Sequence, residues 1–389
     1  MAIGSNPRGM RPSLDVFLNP RHGTPGLVTL PSQGFRRAKA AITSWAGYAP
    51  TPLRDLPLPG TVRLKDEAGR FGLGSFKALG GAYAAAQMLE AELARRGIAL
   101  PAGPVDLEGG AHGDATKTIT LTSATDGNHG RAIAWAATRF HCQCVSYIHA
   151  TVSPARAAAI AAYGADIRRV PGTYDDAVRA CAKDAAARGW LVVSDTSWPG
   201  YTEVPRDIMQ GYRLMTDEAA DQWAGPPPTH IFIQAGVGGA AASVSAQART
   251  RWGSDVSVIV VEPERAACLL ASARAGAMVS VPGDLDTIMA GLACGEPSLL
   301  AWGELGRAAA GFMAIPDAAA ISTMRFLAAH GIVSGESGAA GLAGFQLAWE
   351  DASARAALGL GTNSRVLAFN TEGATDPELY QSLIADTGE

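Results

Sequence analysis

The chain has 389 residues, 48% apolar and 17% charged, with a formal net charge of −4. This composition excludes a disordered chain, and the mixing of acids with bases excludes a polyanion partner, so no nucleic acid is expected. The 45 glycines have no three-residue period, which excludes collagen and suits an α/β enzyme with many tight strand–helix turns.

The stretch from Met1 to Arg8 has no apolar core of signal length, and no run of about 18 uncharged apolar residues follows. Neither a leader nor a membrane span is expected. Residues 1–60 read as an irregular arm with one helix over 34–45, where Phe35, Ala38, Ala41 and Ile42 recur at helical spacing. A strand is expected over 61–67, followed by Arg70-Phe71-Gly72-Leu73-Gly74-Ser75-Phe76-Lys77-Ala78-Leu79-Gly80-Gly81 and a helix to about 96. Residues 103–116 read as a polar, glycine-rich loop or hairpin tip without chemistry. Strands at 118–121, 144–149, 166–170 and 190–193 then alternate with helices at 131–139, 153–163 and 174–188. The connections are long enough only for parallel strands.

A helix over 203–223 precedes Gly225-Pro226-Pro227-Pro228, the plainest boundary mark in the sequence. Beyond it come a strand at 230–234, a helix at 240–251 and a strand at 256–262. Helices follow around 266–275, 318–330 and 338–349, with a last strand at 365–370. This is two parallel-sheet α/β layers with a cleft between them. The expected domains are 1–87 plus 216–389, and 88–215. Cys142, Cys144, Cys181, Cys268 and Cys294 are an odd, sparse set that points to a reducing compartment, the cytoplasm. Cys142-Gln143-Cys144 lacks a second ligand cluster at zinc-like spacing, so no metal is expected. A pairing of Cys268 with Cys294 is conceivable, with free thiols the default.

Six stretches carry candidate chemistry. Lys77 sits in an apolar, small-residue frame. It is either a stem packed on the surface with its head in water, or a buried amine made nucleophilic by a lowered pKa, as a Schiff base requires. Thr125-Asp126-Gly127-Asn128-His129-Gly130 lies between a strand and a helix. It is either a capped turn or a site where Asn128 offers an amide and Asp126 a base. Gln234-Ala235-Gly236-Val237-Gly238-Gly239-Ala240 has the strand–glycine–helix context of a phosphate cradle. It also fits a dinucleotide fingerprint, with Glu262 where a ribose-binding acid would sit, which keeps an NAD-dependent enzyme open. Asp195, beside Trp198 and Tyr201, is either an N-cap or a general base with a raised pKa. Asn370-Thr371-Glu372-Gly373 places a hydroxyl past the last strand. Ser334-Gly335-Glu336-Ser337-Gly338 reads as a capped helix start or as site wall.

Together these pieces resemble the fold-type II pyridoxal-phosphate enzymes of the tryptophan-synthase-β or threonine-dehydratase type. Within them the chain is similar to the diaminopropionate ammonia-lyases. The pieces that match are Arg70-Phe71-Gly72-Leu73 with Ser75-Phe76-Lys77-Ala78-Leu79-Gly80-Gly81-Ala82-Tyr83, Thr125 to Arg131, Gln234 to Gly238, Ile208-Met209-Gln210-Gly211-Tyr212, Met289 to Glu296, Ser334 to Gly338 and Thr371-Glu372-Gly373. The resemblance implies two α/β domains with the site in the cleft, pyridoxal 5'-phosphate as cofactor, and a homodimer. It gives Lys77 the Schiff base, with Phe76 beside it. It gives Asn128 the ring hydroxyl, Gly236, Val237, Gly238, Gly239 and Ala240 the phosphate, and Thr371 the pyridine nitrogen. Asp126 and Asp195 become candidate proton acceptors on opposite faces. The implied reaction is α,β-elimination of 2,3-diaminopropionate through aminoacrylate to pyruvate and two ammonia. A serine, threonine or hydroxyaspartate dehydratase would need the same cofactor groups.

Overall fold

The computed structural model describes residues 14–101, 103–125 and 127–385. Its strands are β1 (Asp15–Leu18), β2 (Leu53–Leu56), β3 (Thr61–Asp66), β4 (Thr120–Ala124), β5 (Gln143–His149), β6 (Asp166–Val170), β7 (Leu191–Val192), β8 (His230–Gln234), β9 (Ser257–Pro263), β10 (Gly311–Ile315) and β11 (Arg365–Asn370). They form a seven-stranded sheet, β1-β10-β9-β8-β11-β3-β2, and a four-stranded sheet, β6-β5-β4-β7. Only the edge strands β1 and β2 of the larger sheet run antiparallel, and the smaller sheet is parallel throughout.

The two faces of the larger sheet follow from the two-residue period of a strand. Ile231, Ile233, Val258 and Val260 point into one apolar core, with Val244 and Leu79. Their neighbours Phe232, Ile259 and Val261 point into the other, with Leu342 and Phe345. With both faces covered, these strands read as apolar runs without alternation. The first core also takes in Leu121 and Ile148 of the smaller sheet and Ile133 of the helix Asn128–Arg139. The two sheets thus share one apolar interior.

Two helices are pressed together at glycine. The helix Lys77–Arg95 crosses the helix Glu203–Gln222 where Gly80 meets Gly211. A Cβ on Gly211 would lie 2.1 Å from the Leu79 carbonyl oxygen, and one on Gly80 would lie 2.5 Å from that of Ile208. The contact is backbone on backbone, and it brings Tyr212 against Phe76 with ring centroids 4.6 Å apart.

Beneath this crossing lies a buried set of two cations and two anions. Lys65 Nζ donates to Glu218 Oε2 and to the Thr51 carbonyl, both at 2.7 Å. Arg70 donates to both oxygens of Glu218, at 2.9 and 2.7 Å, and to both oxygens of Glu67, at 2.8 and 2.9 Å. None of these four side chains is more than 4% exposed. Each charge meets at least one opposite charge and further hydrogen-bond partners, the condition under which buried ions are tolerated.

The structure departs from the sequence reading in several places. Residues 103–116 form a 3-10 turn (Gly103–Leu107) and a short helix (Gly113–Thr116) rather than a hairpin. Glu108 of this segment pairs with Arg139. Strands β1 and β10 and the helix Leu299–Ala308 escaped the reading. All five residues of β10 are buried, so they show no alternation to detect. Gly225 to Pro228 does not carry the chain away from the larger sheet, because the helix before it packs on the helix Gly239–Trp252 after it.

Three predictions follow from this packing. Gly211→Ala should lower unfolding free energy by at least about 1–3 kcal/mol in urea denaturation, the usual cost of overpacking. Gly109→Ala, with nothing within 4 Å of the added carbon, should change it little. Arg70→Met leaves Glu67 and Glu218 short of their cation and should cost about 3–5 kcal/mol. Glu262 concerns pH. Its buried carboxyl accepts from the Leu269 and Leu270 amides at 2.8 and 2.7 Å. Burial pushes it up to about 8, against the lowering effect of those two amides. The folded state therefore keeps a proton that the unfolded state releases, so stability falls as pH rises from about 4.5 to 8. Glu262→Gln should flatten that fall in thermal denaturation between pH 5 and 8.5.

Candidate active site

Lys77 is the first residue of its helix, and Phe76 stands at the N-cap. The Phe76 amide donates to the Thr371 carbonyl at 3.1 Å, and Ser75 bridges Glu372, so the lysine segment and the turn after β11 are held together. Lys77 Nζ lies 2.7 Å from Asp195 Oδ2. The ammonium also sits 5.4 Å from the Phe76 ring centroid and 5.7 Å from that of Tyr212. It is neither a snorkelling amine nor a lone buried one, since its charge is met by a carboxylate and two aromatic faces.

Asp195 follows β7 on the loop that leads to the helix Glu203–Gln222. The expected raised pKa is reversed. Burial opposes its ionisation, but the adjacent Lys77 ammonium and His129 outweigh burial and hold the carboxyl below the usual range. Trp198 and Tyr201, the neighbours that suggested a raised value, stack on each other at 4.3 Å. The Tyr201 hydroxyl donates to the Val192 carbonyl and accepts from the Ser194 amide, which closes the loop on itself.

Asn128 opens the helix Asn128–Arg139, and its amide donates to Glu372 Oε2. Glu372 Oε1 accepts from the Ser337 amide at 3.2 Å. His129 holds the Val193 carbonyl through Nε2 at 2.8 Å, so that nitrogen carries a proton. Its Nδ1 is buried without a hydrogen-bond partner, 4.0 Å from Asp195 Oδ2. Asp126 lies outside the described residues.

Gly236, Val237, Gly238, Gly239 and Ala240 join β8 to the helix Gly239–Trp252, which opens without a side-chain cap on its first amides. Gly238 has φ +96°. A Cβ on Gly236 would fall 2.9 Å from Cys294 Sγ and 3.2 Å from Leu292 Cα. Amides at a helix start that no side chain caps are the kind of group that suits an anion. The Glu262 expected at a ribose is instead fully buried, turned to the amides that open the helix Cys268–Ala275. This removes the acid that the NAD reading required.

Thr371 Oγ1 is 2.8 Å from Gln234 Nε2, which also reaches the Gly338 and Phe369 carbonyls. The Gln234 nitrogen can only donate, so Thr371 accepts there and keeps its own O–H to give. Residues Ser334 to Gly338 prove to be wall and not cap. A Cβ on Gly338 would lie 2.5 Å from the Glu372 carbonyl oxygen, and the next helix begins behind Ala339, which has no side-chain cap.

Gln234, Tyr212, Glu372 and the ion pair Arg156–Glu336 (2.7 Å) belong to this cluster and had been given no role. All but Arg156 lie inside the matched pieces, so their place in the chain was the available signal. Burial, followed by the nearby Glu372 charge, pushes Glu336 up to about 7 against the pull of Arg156. A separate surface cavity of about 350 Å³, lined by Ala46, Arg70, Phe71, Trp135 and Arg139 among others, touches none of Lys77, Asp195, Asn128 or Thr371.

The pyridoxal-phosphate dependent enzyme family matches residues 45–372. A diaminopropionate ammonia-lyase of Escherichia coli (strain K12) is 40% identical over 356 residues, covering 87% of this chain and 88% of that protein. The crystal structure of holo diaminopropionate ammonia lyase from Escherichia coli superposes with a TM-score of 0.86 at 35% identity, covering 96% of this chain and 97% of that one. The same enzyme in complex with an aminoacrylate-PLP azomethine reaction intermediate also gives 0.86, at 36% identity, covering 95% and 96%. The fold-type II architecture and the cofactor class expected from the sequence both stand. This chain belongs to the pyridoxal-phosphate dependent enzymes, in the family of the diaminopropionate ammonia-lyases.

Proposed function

We propose that this chain is a carbon–nitrogen lyase that converts 2,3-diaminopropionate to pyruvate and two ammonia, with Lys77 carrying the cofactor. The observation that carries the reading is the Lys77–Asp195 pair at 2.7 Å, set among the cradle, Asn128 and Thr371.

The residues fit pyridoxal phosphate. The uncapped helix start at Gly239, behind glycines whose added carbon would fill the cradle, suits a phosphate. The Asn128 amide suits a ring hydroxyl, and the Thr371 hydroxyl suits a pyridine nitrogen that stays neutral. Pyridoxal phosphate, when bound, supplies an electron sink for the charge left at Cα.

The chain's own groups supply the proton traffic. As an ammonium, Lys77 keeps Asp195 ionised and a weak base. If the Lys77 nitrogen loses that proton, the attraction holding Asp195 low is lost. The carboxylate then becomes a stronger base as the amine becomes a nucleophile. Asp195 is the proton acceptor on one face of the substrate, and Asp126 is assigned the other from its place in the matched stretch. Lys77 is also placed to give a proton to the departing β-nitrogen.

The expected domain division, 1–87 plus 216–389 and 88–215, belongs to the same proposal. Strands β4 to β7 all lie within 88–215, and every other strand lies outside it. A cytoplasmic homodimer belongs to it as well. In support, Leu27 and Val28 of the N-terminal arm are 88% and 79% exposed. Among the described residues, no helix is long and apolar enough to cross a membrane.

The purified protein should be yellow, and borohydride should fix the chromophore to Lys77. 2,3-Diaminopropionate should yield two ammonia per pyruvate. Comparable turnover of serine, at one ammonia per pyruvate, would make the chain a dehydratase instead. Asp195→Asn and Asp126→Asn should each impair a different enantiomer by about 100-fold or more. Equal loss on both enantiomers would reject the two-base assignment.

A further inference from the structure

The loop that carries Asp195 is fastened to the Gly236–Ala240 run through two serines, Ser197 and Ser298. Ser298 stands at the N-cap of the helix Leu299–Ala308, yet its hydroxyl caps none of that helix's amides. It accepts instead from the Ser197 amide at 3.0 Å. Ser197 does the capping from outside. Its hydroxyl accepts from the Leu300 amide at 2.8 Å, and its carbonyl accepts from the Leu299 amide at 3.0 Å. The two hydroxyls are 2.6 Å apart. Ser197 is 3% exposed and Ser298 is fully buried, so water cannot replace these bonds. The Ser298 amide in turn donates to the Val237 carbonyl, inside the cradle, at 2.9 Å. Asp195 is two residues from Ser197, and its carbonyl lies 3.9 Å from where a Cβ on Gly239 would be.

We propose that Ser197 and Ser298 act as a positioning clamp that fixes the Asp195 carboxylate relative to the Gly236–Ala240 cradle. A helix needs its first amides satisfied. Here that requirement is met by the base's own loop, so the loop cannot shift without exposing two helix amides. The clamp rests on the assignment of Asp195 as a base, and a misplacement of about 1 Å at such a group costs on the order of 100-fold in rate.

The test uses holoenzyme carrying Ser197→Ala or Ser298→Ala, each in the natural and the Asp195→Asn background, with both enantiomers of 2,3-diaminopropionate. In the natural background each substitution should lower kcat about 10- to 100-fold for the enantiomer that Asp195→Asn impairs, with KM within about threefold. In the Asp195→Asn background the same substitutions should change kcat by less than about threefold, because the group being positioned is gone. Hydrogen exchange at Leu299 and Leu300 should be about tenfold faster in Ser197→Ala, a readout independent of turnover. Leu299→Pro keeps both serines, and proline is tolerated at the first helical position. It removes the N–H that donates to the Ser197 carbonyl while leaving the Ser197 and Ser298 hydroxyls in place, and should slow the same enantiomer about tenfold. Equal losses in both backgrounds, or full rates in the serine and Leu299→Pro variants beside an impaired Asp195→Asn, would overturn the clamp alone. Full activity of Asp195→Asn on both enantiomers would overturn the base assignment as well, and that is read from this variant by itself.

Discussion

The contact on which the site depends is the ion pair between Lys77 and Asp195. Its cation comes from the first turn of a helix packed against the helices Glu203–Gln222 and Asn128–Arg139, and its anion from the loop that leaves the smaller sheet. Both side chains are about one-fifth exposed, so neither is fully hydrated and each depends on the other. The pair spans the boundary between the sheets and sets how far apart the two halves of the site stand. The lysine's charge, with His129, also holds the carboxylate's base strength low.

Holding that distance takes rigid backing, and the sequence supplies it with glycine and with buried charge. Gly80 and Gly211 let two helix backbones touch, which fixes where the first turn of the lysine helix begins. Lys65, Glu67, Arg70 and Glu218 tie β3 and the turn after it to the helix Glu203–Gln222. An apolar filling would give comparable stability without a fixed register. Five charge-assisted hydrogen bonds from two cations to two carboxylates leave little freedom of register.

Much of this was legible in the residues. Strand–helix alternation gave the smaller sheet and the central strands of the larger one, and the glycine run after β8 does stand between a strand and a helix. Lys77 was legible as an unusual lysine, but the sign of its effect on Asp195 was not. The two are 118 residues apart in the chain, and the nearer aromatic residues pointed the other way. Glu262 misled for the same reason, because spacing put it at a ribose while folding turned it to the start of a neighbouring helix. Ser197 and Ser298, 101 residues apart, carry no local pattern at all. Local period and turn chemistry are readable residue by residue, whereas a charge or cap supplied from across the cleft exists only after folding.

The remaining bridges across the cleft are also polar. Asn128 reaches Glu372, Arg156 reaches Glu336, and Ser153 reaches Asp376 at 2.9 Å. Each runs from a helix start beside the smaller sheet to a segment flanking β11 or the helix Ala340–Glu350. Shared apolar clusters join the two parts, and these hydrogen bonds join them as well. Hydrogen bonds can be exchanged for others of similar strength, whereas an apolar seam must be pulled open against water. A cleft closed in this way can admit a charged substrate and a phosphate by trading partners. The polar bridges and the apolar clusters therefore divide the work, one open to exchange and the other preserving the distance between Lys77 and Asp195.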